Sequence, residues 1–254
     1  MRGLFSSVMA LVGLSSAQAA RTELPAGFVY LADVDPTIVQ DIRYAGAHNF
    51  VGRPIAGYEA PECILTEKAA RALAKVQGQL VPKGLSLIVW DCYRPTRATA
   101  DFIRWSKQPG DTKTKAEFYP RIDKSRVFEL GYLSTRSAHS RGSTVDVGIM
   151  PLGGAVPLYD PNAPLVPCTA SPAQRHPDGA LDFGTGYDCM DELSATLHPQ
   201  VKGEARKNRL MLRDLMVAAG FRPYRREWWH FELIEEPFPD RSFDFPIRAR
   251  PKRP

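Results

Sequence analysis

At 254 residues and a formal net charge of +5, the chain is long enough for one sizeable core and too short for more than two small domains. The charge excess is modest and partly gathered in the tail Arg248-Ala-Arg-Pro-Lys-Arg253, which reads as a solvated end. No basic stretch is interleaved with aromatic residues, which argues against a nucleic-acid partner.

Residues 1–20 read as an export leader: Arg2 precedes the apolar run Leu4 to Leu14, which ends in Ser15-Ser-Ala-Gln-Ala-Ala20. A membrane anchor needs a longer span, ~20 apolar residues. Cleavage after Ala19 or Ala20 is therefore expected, giving a periplasmic or secreted protein with no stable membrane insertion. No linker or repeat divides the remainder, so residues 21–254 are expected to form one domain.

Within it, Phe28 to Ala32 reads as a strand and Ile38 to Tyr44 as a short ordered stretch before a glycine-rich loop. Thr66 can cap a helix in which Leu65, Ala69, Leu73, Val76 and Leu80 recur at helical spacing. Leu85 to Trp90 is an apolar run too short for a typical helix, bounded by Gly84 and Tyr93-Arg-Pro95, and reads as a buried strand. Pro95-Thr96 opens a second helix to about Lys107, with Ala100, Ile103 and Trp105 inward.

Ser143 to Met150 follows as a strand, with Thr144, Asp146 and Gly148 on one face and Val145, Val147 and Ile149 on the other. Pro151 to Tyr187 has no period and reads as a long loop, disordered in part or tethered as a rim. A third helix, Glu204 to Ala219, stops at Gly220 and should bury Leu212, Leu215 and Ala219. Trp228 to Ile234 is the last strand. Together these predict an α+β fold, with helices covering one mainly antiparallel central sheet.

Two segments far apart carry the chemistry: Ser137-Ala-His-Ser-Arg-Gly-Ser-Thr-Val-Asp146 and Glu227-Trp-Trp-His230. They supply two imidazoles, a ligating carboxylate and a spare carboxylate. Three protein ligands on a tetrahedral zinc leave a position open for chemistry, and a further acid can move a proton. His139, Asp146 and His230 are assigned to the metal and Glu227 to the base. Residues three apart on a strand face opposite ways, so Glu227 and His230 converge only if Glu227 sits in a turn or bulge. His48, His176 and His198 are left as structural residues. Neither a Gly-x-Ser-x-Gly elbow nor a His-Glu-x-x-His helix is present. Spacing alone leaves zinc catalysis and a structural polar cluster both open.

Four cysteines allow three pairings. Cys92 ends the predicted central strand and Cys63 precedes the helix expected beside it, which favours Cys63 with Cys92 and leaves Cys168 with Cys189. No Cys-x-x-Cys pair supports a thiolate zinc site.

Several motifs occur in one order: Gly57-Tyr-Glu59, Trp90-Asp-Cys-Tyr-Arg-Pro-Thr-Arg-Ala98, Ser137 to Asp146, Tyr187-Asp-Cys-Met-Asp-Glu192, Glu227-Trp-Trp-His-Phe231 and Phe243-Asp-Phe-Pro246. In this the chain resembles the zinc D-alanyl-D-alanine dipeptidases of the vancomycin-resistance type, from about Phe28 to Pro246. The resemblance implies a D,D-peptidase/Hedgehog-like fold, one Zn2+ per chain on His139, Asp146 and His230, Glu227 as base and Arg94 as the transition-state arginine. It also implies substrate contacts from Tyr44, Ser137 and Asp188, with Asp188 suited to the amine of a small dipeptide and Ser137 to its carboxylate. Pro151 to Tyr187 departs from the family pattern. Two rivals stay open: a D,D- or L,D-carboxypeptidase acting on longer muropeptides, and a non-catalytic zinc-stabilised module that binds envelope peptides. Asp91 and Asp191 are placed outside the site.

Overall fold

The computed structural model describes residues 23–251, so the leader expected over residues 1–20 lies outside the described residues. The centre is a five-stranded mixed sheet in the order β2 (Val39–Gln40), β4 (Leu85–Asp91), β5 (Thr144–Pro151), β7 (His230–Leu233), β6 (Phe221–Pro223). β2 runs parallel to β4, and the other three pairings are antiparallel. The edge pairing thus makes mixed a sheet predicted to be mainly antiparallel. β1 (Phe28–Tyr30) and β3 (Ile64–Thr66) form a separate antiparallel pair.

β4 and β5 are buried along nearly their whole length, so both faces of the sheet are covered there. Two helices supply cover. α2 (Glu67–Leu80) packs on β4, and α5 (Gly203–Ala218) packs on β5 and β6 and touches α2. Thr66 caps α2, its side chain accepting from Ala69 N–H at 3.4 Å. On α5 the inward residues are Ala205, Arg209, Leu212 and Met216, while Leu215 and Ala219 are half-buried. The inward row therefore runs one residue off the expected phase.

Other elements also differ from expectation. The strand read over Phe28 to Ala32 stops at Tyr30, and α1 (Leu31–Val34) follows. α3 (Thr96–Ser106) buries Ala98, Phe102 and Trp105, leaving Ala100 and Ile103 half-buried. Its inward face is set by aromatic packing: Phe50 lies 4.8 Å from Phe102 and 5.1 Å from Trp105 between ring centroids. A short α4 (Lys115–Phe118) comes next. The tail is not simply solvated, because Arg248 pairs with Glu59 and Arg250 with Asp33, each at 3.0 Å.

Leu152 to Asp191 contains no helix or strand. Disulfides join Cys63 to Cys92 and Cys168 to Cys189, the pairing favoured by the sequence. Among the described residues no helix is long and apolar enough to cross a membrane.

Candidate metal centre and active site

Strand register builds the centre. β5 and β7 pair so that Asp146 stands opposite His230, with Val145 opposite Phe231. Between Val89 and Asp91 the β4–β5 register shifts by one, so Asp91 also falls opposite Asp146. Such a bulge re-aims a side chain. Here it lets Trp90 and Asp91 serve one face: a Cβ on Gly148 would meet the Trp90 ring at 2.5 Å, and Asp91 meets Arg94.

His139 arrives from the 3-10 turn Ala138–Arg141 just before β5. Gly142 ends that turn at φ +82°, and a Cβ there would come within 2.2 Å of Phe28. Both the left-handed backbone and the close approach require glycine. Glu227 lies in the loop ahead of β7, which begins at His230 and not at Trp228. This non-strand backbone lets Glu227 Oε2 approach to 3.8 Å from His230 Nδ1, despite a spacing that opposes it on a strand. Trp228 and Trp229 are instead turn residues packed inward, Trp228 stacked on Phe183 and Trp229 edge-on to Tyr187.

His139 Nε2 lies 3.3 Å from His230 Nδ1 and 3.4 Å from Asp146 Oδ1, and His230 Nδ1 lies 3.1 Å from the same oxygen. Bonds of ~2.0–2.1 Å around a tetrahedral ion put donor atoms roughly 3.3–3.4 Å apart. The triangle therefore has the size such an ion needs, and its N, N, O donors suit zinc. Outer partners orient these groups. His139 Nδ1 faces the Cys92 carbonyl at 2.7 Å, which assigns the proton to Nδ1 and leaves the Nε2 lone pair inward. The second oxygen of Asp146 accepts from Tyr187 at 3.0 Å. Among the described residues this is the one His/Cys/Asp/Glu group close enough to hold a metal.

Arg94 is buried beside the triangle. Its Nε donates to Asp91 at 2.9 Å, its Nη1 to Ser137 Oγ at 3.4 Å, and its charge centre lies 5.1 Å from the ring centroids of Tyr44 and Phe102. Burial opposes its charge, but Asp91 and then Tyr44, Tyr58 and Asp146 outweigh it, so its pKa is raised further and it stays a cation. Tyr44 donates to Asp188 Oδ2 at 2.7 Å.

Burial raises the Glu227 and Asp188 carboxyls. Glu227 is pushed up to about 8 and Asp188 to about 7, in each case by desolvation first, with the Asp146 charge adding to it. Asp146 moves the other way: burial works against its charge, and the two imidazoles more than offset it, holding its carboxyl well below the usual range. His230 is raised to about 10, because the hydrogen bond to Asp146 and the facing Glu232 carboxylate overcome its burial. A carboxylate and two imidazoles so tightly faced call for a cation among them, either a proton or a metal.

All eight residues proposed from the sequence for catalysis, metal and substrate line one cavity of about 280 Å³. Four supports were missed. Asp91, placed outside the site, is fully buried and holds Arg94, and it also accepts from Tyr58 at 2.6 Å. The Cys92 carbonyl and Tyr187 orient two of the triangle's members. Glu232 lies 3.8 Å from His230 Nε2; its place two residues along the strand was a signal that sequence offered. Asp191 caps the 3-10 turn Glu192–Ser194 and pairs with Arg121, away from the cavity.

The family profile of peptidase M15, D-Ala-D-Ala dipeptidase, matches residues 25–157 and 173–248. The chain belongs to that family. It is 38% identical over 220 residues to a D-alanyl-D-alanine dipeptidase of Streptomyces coelicolor, covering 87% of this chain and 98% of that protein. A protein of the same name from Enterococcus faecalis is 35% identical over 221 residues, with the same coverage of each chain. One from Escherichia coli K12 is 31% identical over 205 residues, covering 81% and 83%. This member of the M15 peptidases is an enzyme, and the eight residues that line the cavity together all fall within the matched stretches. Residues 158–172 fall between them.

Proposed function

We propose that the protein is an exported, zinc-dependent dipeptidase that hydrolyses D-Ala-D-Ala to two D-alanines in peptidoglycan turnover. The observation that carries this is the triangle of His139 Nε2, His230 Nδ1 and Asp146 Oδ1, with sides of 3.1–3.4 Å and Glu227 at its rim. His139, Asp146 and His230 would hold one zinc. When bound, the metal supplies a Lewis acid that polarises the scissile carbonyl and acidifies water.

The remaining steps belong to side chains. Asp188, with the Tyr44 hydroxyl fixing one of its oxygens, receives the substrate ammonium. Ser137 donates to the carboxylate at the other end. As water adds to the carbonyl carbon, Glu227 takes its proton and then passes it to the leaving nitrogen when the C–N bond breaks. Arg94, held by Asp91, faces the oxygen on which negative charge develops. A cavity of about 280 Å³ suits a ligand as small as a dipeptide. Two disulfides favour an oxidising compartment, which is the support for export.

One observation favours a rival. A neighbouring, more apolar hollow of about 510 Å³ shares Tyr132 and Tyr224 with the site and offers room for a longer muropeptide, as a carboxypeptidase needs. The zinc-loaded protein should release alanine from D-Ala-D-Ala, and far more slowly from L-Ala-L-Ala or a muramyl pentapeptide. Release from the pentapeptide alone would replace the dipeptidase with the carboxypeptidase.

A further inference from the structure

Asp188 is the non-glycine residue of the described chain with a positive φ, +59°. An aspartate keeps such a backbone when its surroundings over-determine it. Much of what does so comes from the short stretch outside the family match, residues 158–172. Cys168 of that stretch is disulfide-bonded to Cys189, the residue after Asp188. Its backbone also serves as a spacer: Cys168 N–H donates to Glu117 O at 2.9 Å, and Gly186 N–H donates to Cys168 O at 2.8 Å. Met190 N–H closes the same layer on Phe118 O at 2.8 Å. Residues 186–190 are thereby pinned on both sides of Asp188.

The same stretch reaches Asp188's second support. Tyr159 lies flat on His48, with ring centroids 4.1 Å apart and planes 7° from parallel. His48 accepts from Arg43 at 2.6 Å and donates to Glu117 at 2.7 Å. Arg43 begins the 3-10 turn Arg43–Ala45, which carries the Tyr44 hydroxyl that bonds Asp188. Among the described residues no hydrogen bond joins 158–172 to His139, Asp146, Glu227 or His230. Tyr187, which bonds Asp146, is separately anchored by stacking on Trp90 at 4.8 Å.

We propose that residues 158–172 are a specificity clamp: Cys168 and Tyr159 position Asp188 and its Tyr44 partner so that a free ammonium terminus is selected over a blocked one. This rests on Asp188 receiving the substrate ammonium, as proposed above. A charge-assisted hydrogen bond is steep in distance and angle, so a loosened Asp188 binds the ammonium less well. A loosened Asp188 is also wetter, so a neutral acyl terminus no longer strands a desolvated carboxylate. Selectivity then falls from both directions while the reacting groups stay in place.

The test compares kcat/KM for D-Ala-D-Ala and N-acetyl-D-Ala-D-Ala in the zinc-loaded protein, in Cys168→Ser/Cys189→Ser, and in Tyr159→Ala with both disulfides intact. Zinc content is measured alongside. The unmodified protein should favour the free dipeptide by ~100-fold or more. In the variants the ratio should fall on the order of tenfold, through KM for the free dipeptide, with kcat little changed and one zinc retained. Tyr159→Phe, which keeps the stack, should keep the ratio. If the double variant does not fold, Tyr159→Ala decides. An unchanged ratio in zinc-bound variants, or a loss confined to kcat, overturns the clamp and leaves the amine anchor standing. An unmodified protein that treats both substrates alike overturns the anchor and the clamp with it.

Discussion

The half of the cavity built by Asp146 and His230 and the half built by Tyr44 and Asp188 share walls but are held in place by different physics. Asp146 and His230 stand opposite one another on paired strands, and a one-residue bulge brings Asp91 into the same row. Their spacing is a consequence of ladder register, which cannot shift by less than a residue without exposing the buried faces of β5. Tyr44 and Asp188 are 144 residues apart and stand on a 3-10 turn and an irregular loop. Side-chain hydrogen bonds, a ring stack and a disulfide hold them instead. The first half should therefore fail all at once when changed, and the second should change by degrees.

The sharpest way to break this contrast is at the register itself. Asp146→Ala and His230→Ala should each lose the metal and lower kcat/KM by more than ~10³-fold, because a Lewis acid is removed outright. Metal analysis and turnover together check it. A graded loss with zinc retained would place the register-built half on the same footing as the loops. Glu227→Gln should separate the roles within that half, keeping zinc while lowering kcat by ~10²–10⁴-fold. A metal-free Glu227→Gln protein would make Glu227 a ligand.

Arg94 bridges the halves: Asp91 fixes it from the sheet, and Tyr44 lies against it from the turn. If its work is on the developing charge, Arg94→Ala should lower kcat and kcat/KM together by ~10²–10³-fold with KM nearly unchanged. Lysine should restore only part, since it lacks the planar fork that meets Asp91. An effect confined to KM would make Arg94 a substrate clamp and group it with Tyr44 and Asp188.

The same division explains what could be read in the sequence. Buried runs such as Leu85 to Trp90 and the helical spacing before Leu80 are local signals, and those elements form where expected. His139, Asp146, His230 and Glu227 could be picked out as a group because few residue types do the chemistry proposed for them, and the structure brings them together. Asp91's part was not, because it depends on a bulge whose partner strand lies more than fifty residues on. Trp228 and Trp229 read as the start of the last strand, yet their rings pack on Phe183 and Tyr187 from a turn, and β7 begins only at His230. The loop from Leu152 to Asp191 has no period to read, so the Tyr159 stack on His48 could not be anticipated.

The smallest effect expected is on stability in mild acid, and it belongs to the loop half. Burial first, then the Arg43 charge, lowers His48 to about 3, with Asp41 opposing; burial, then His48 and Arg43, lowers His176 to about 4, with Glu117 and Asp178 opposing. In the unfolded chain both imidazoles titrate near ~6.5. Below that pH the unfolded chain takes up protons that the folded one refuses, so stability falls as pH drops from about 6.5 toward 4 and 3. Glu117, raised by burial, binds its proton more readily when folded and offsets part of the loss. The net decline should be on the order of 1–3 kcal/mol, discounted because His176 is half-exposed. His48→Gln should flatten it, read as the urea midpoint between pH 7 and pH 4. At pH 5, amide exchange should rise across residues 158–177 while β4 and β5 stay protected. Simultaneous loss of protection in both places would show the two halves opening as one unit, and the distinction between register and cross-link would then have no consequence for how this molecule comes apart.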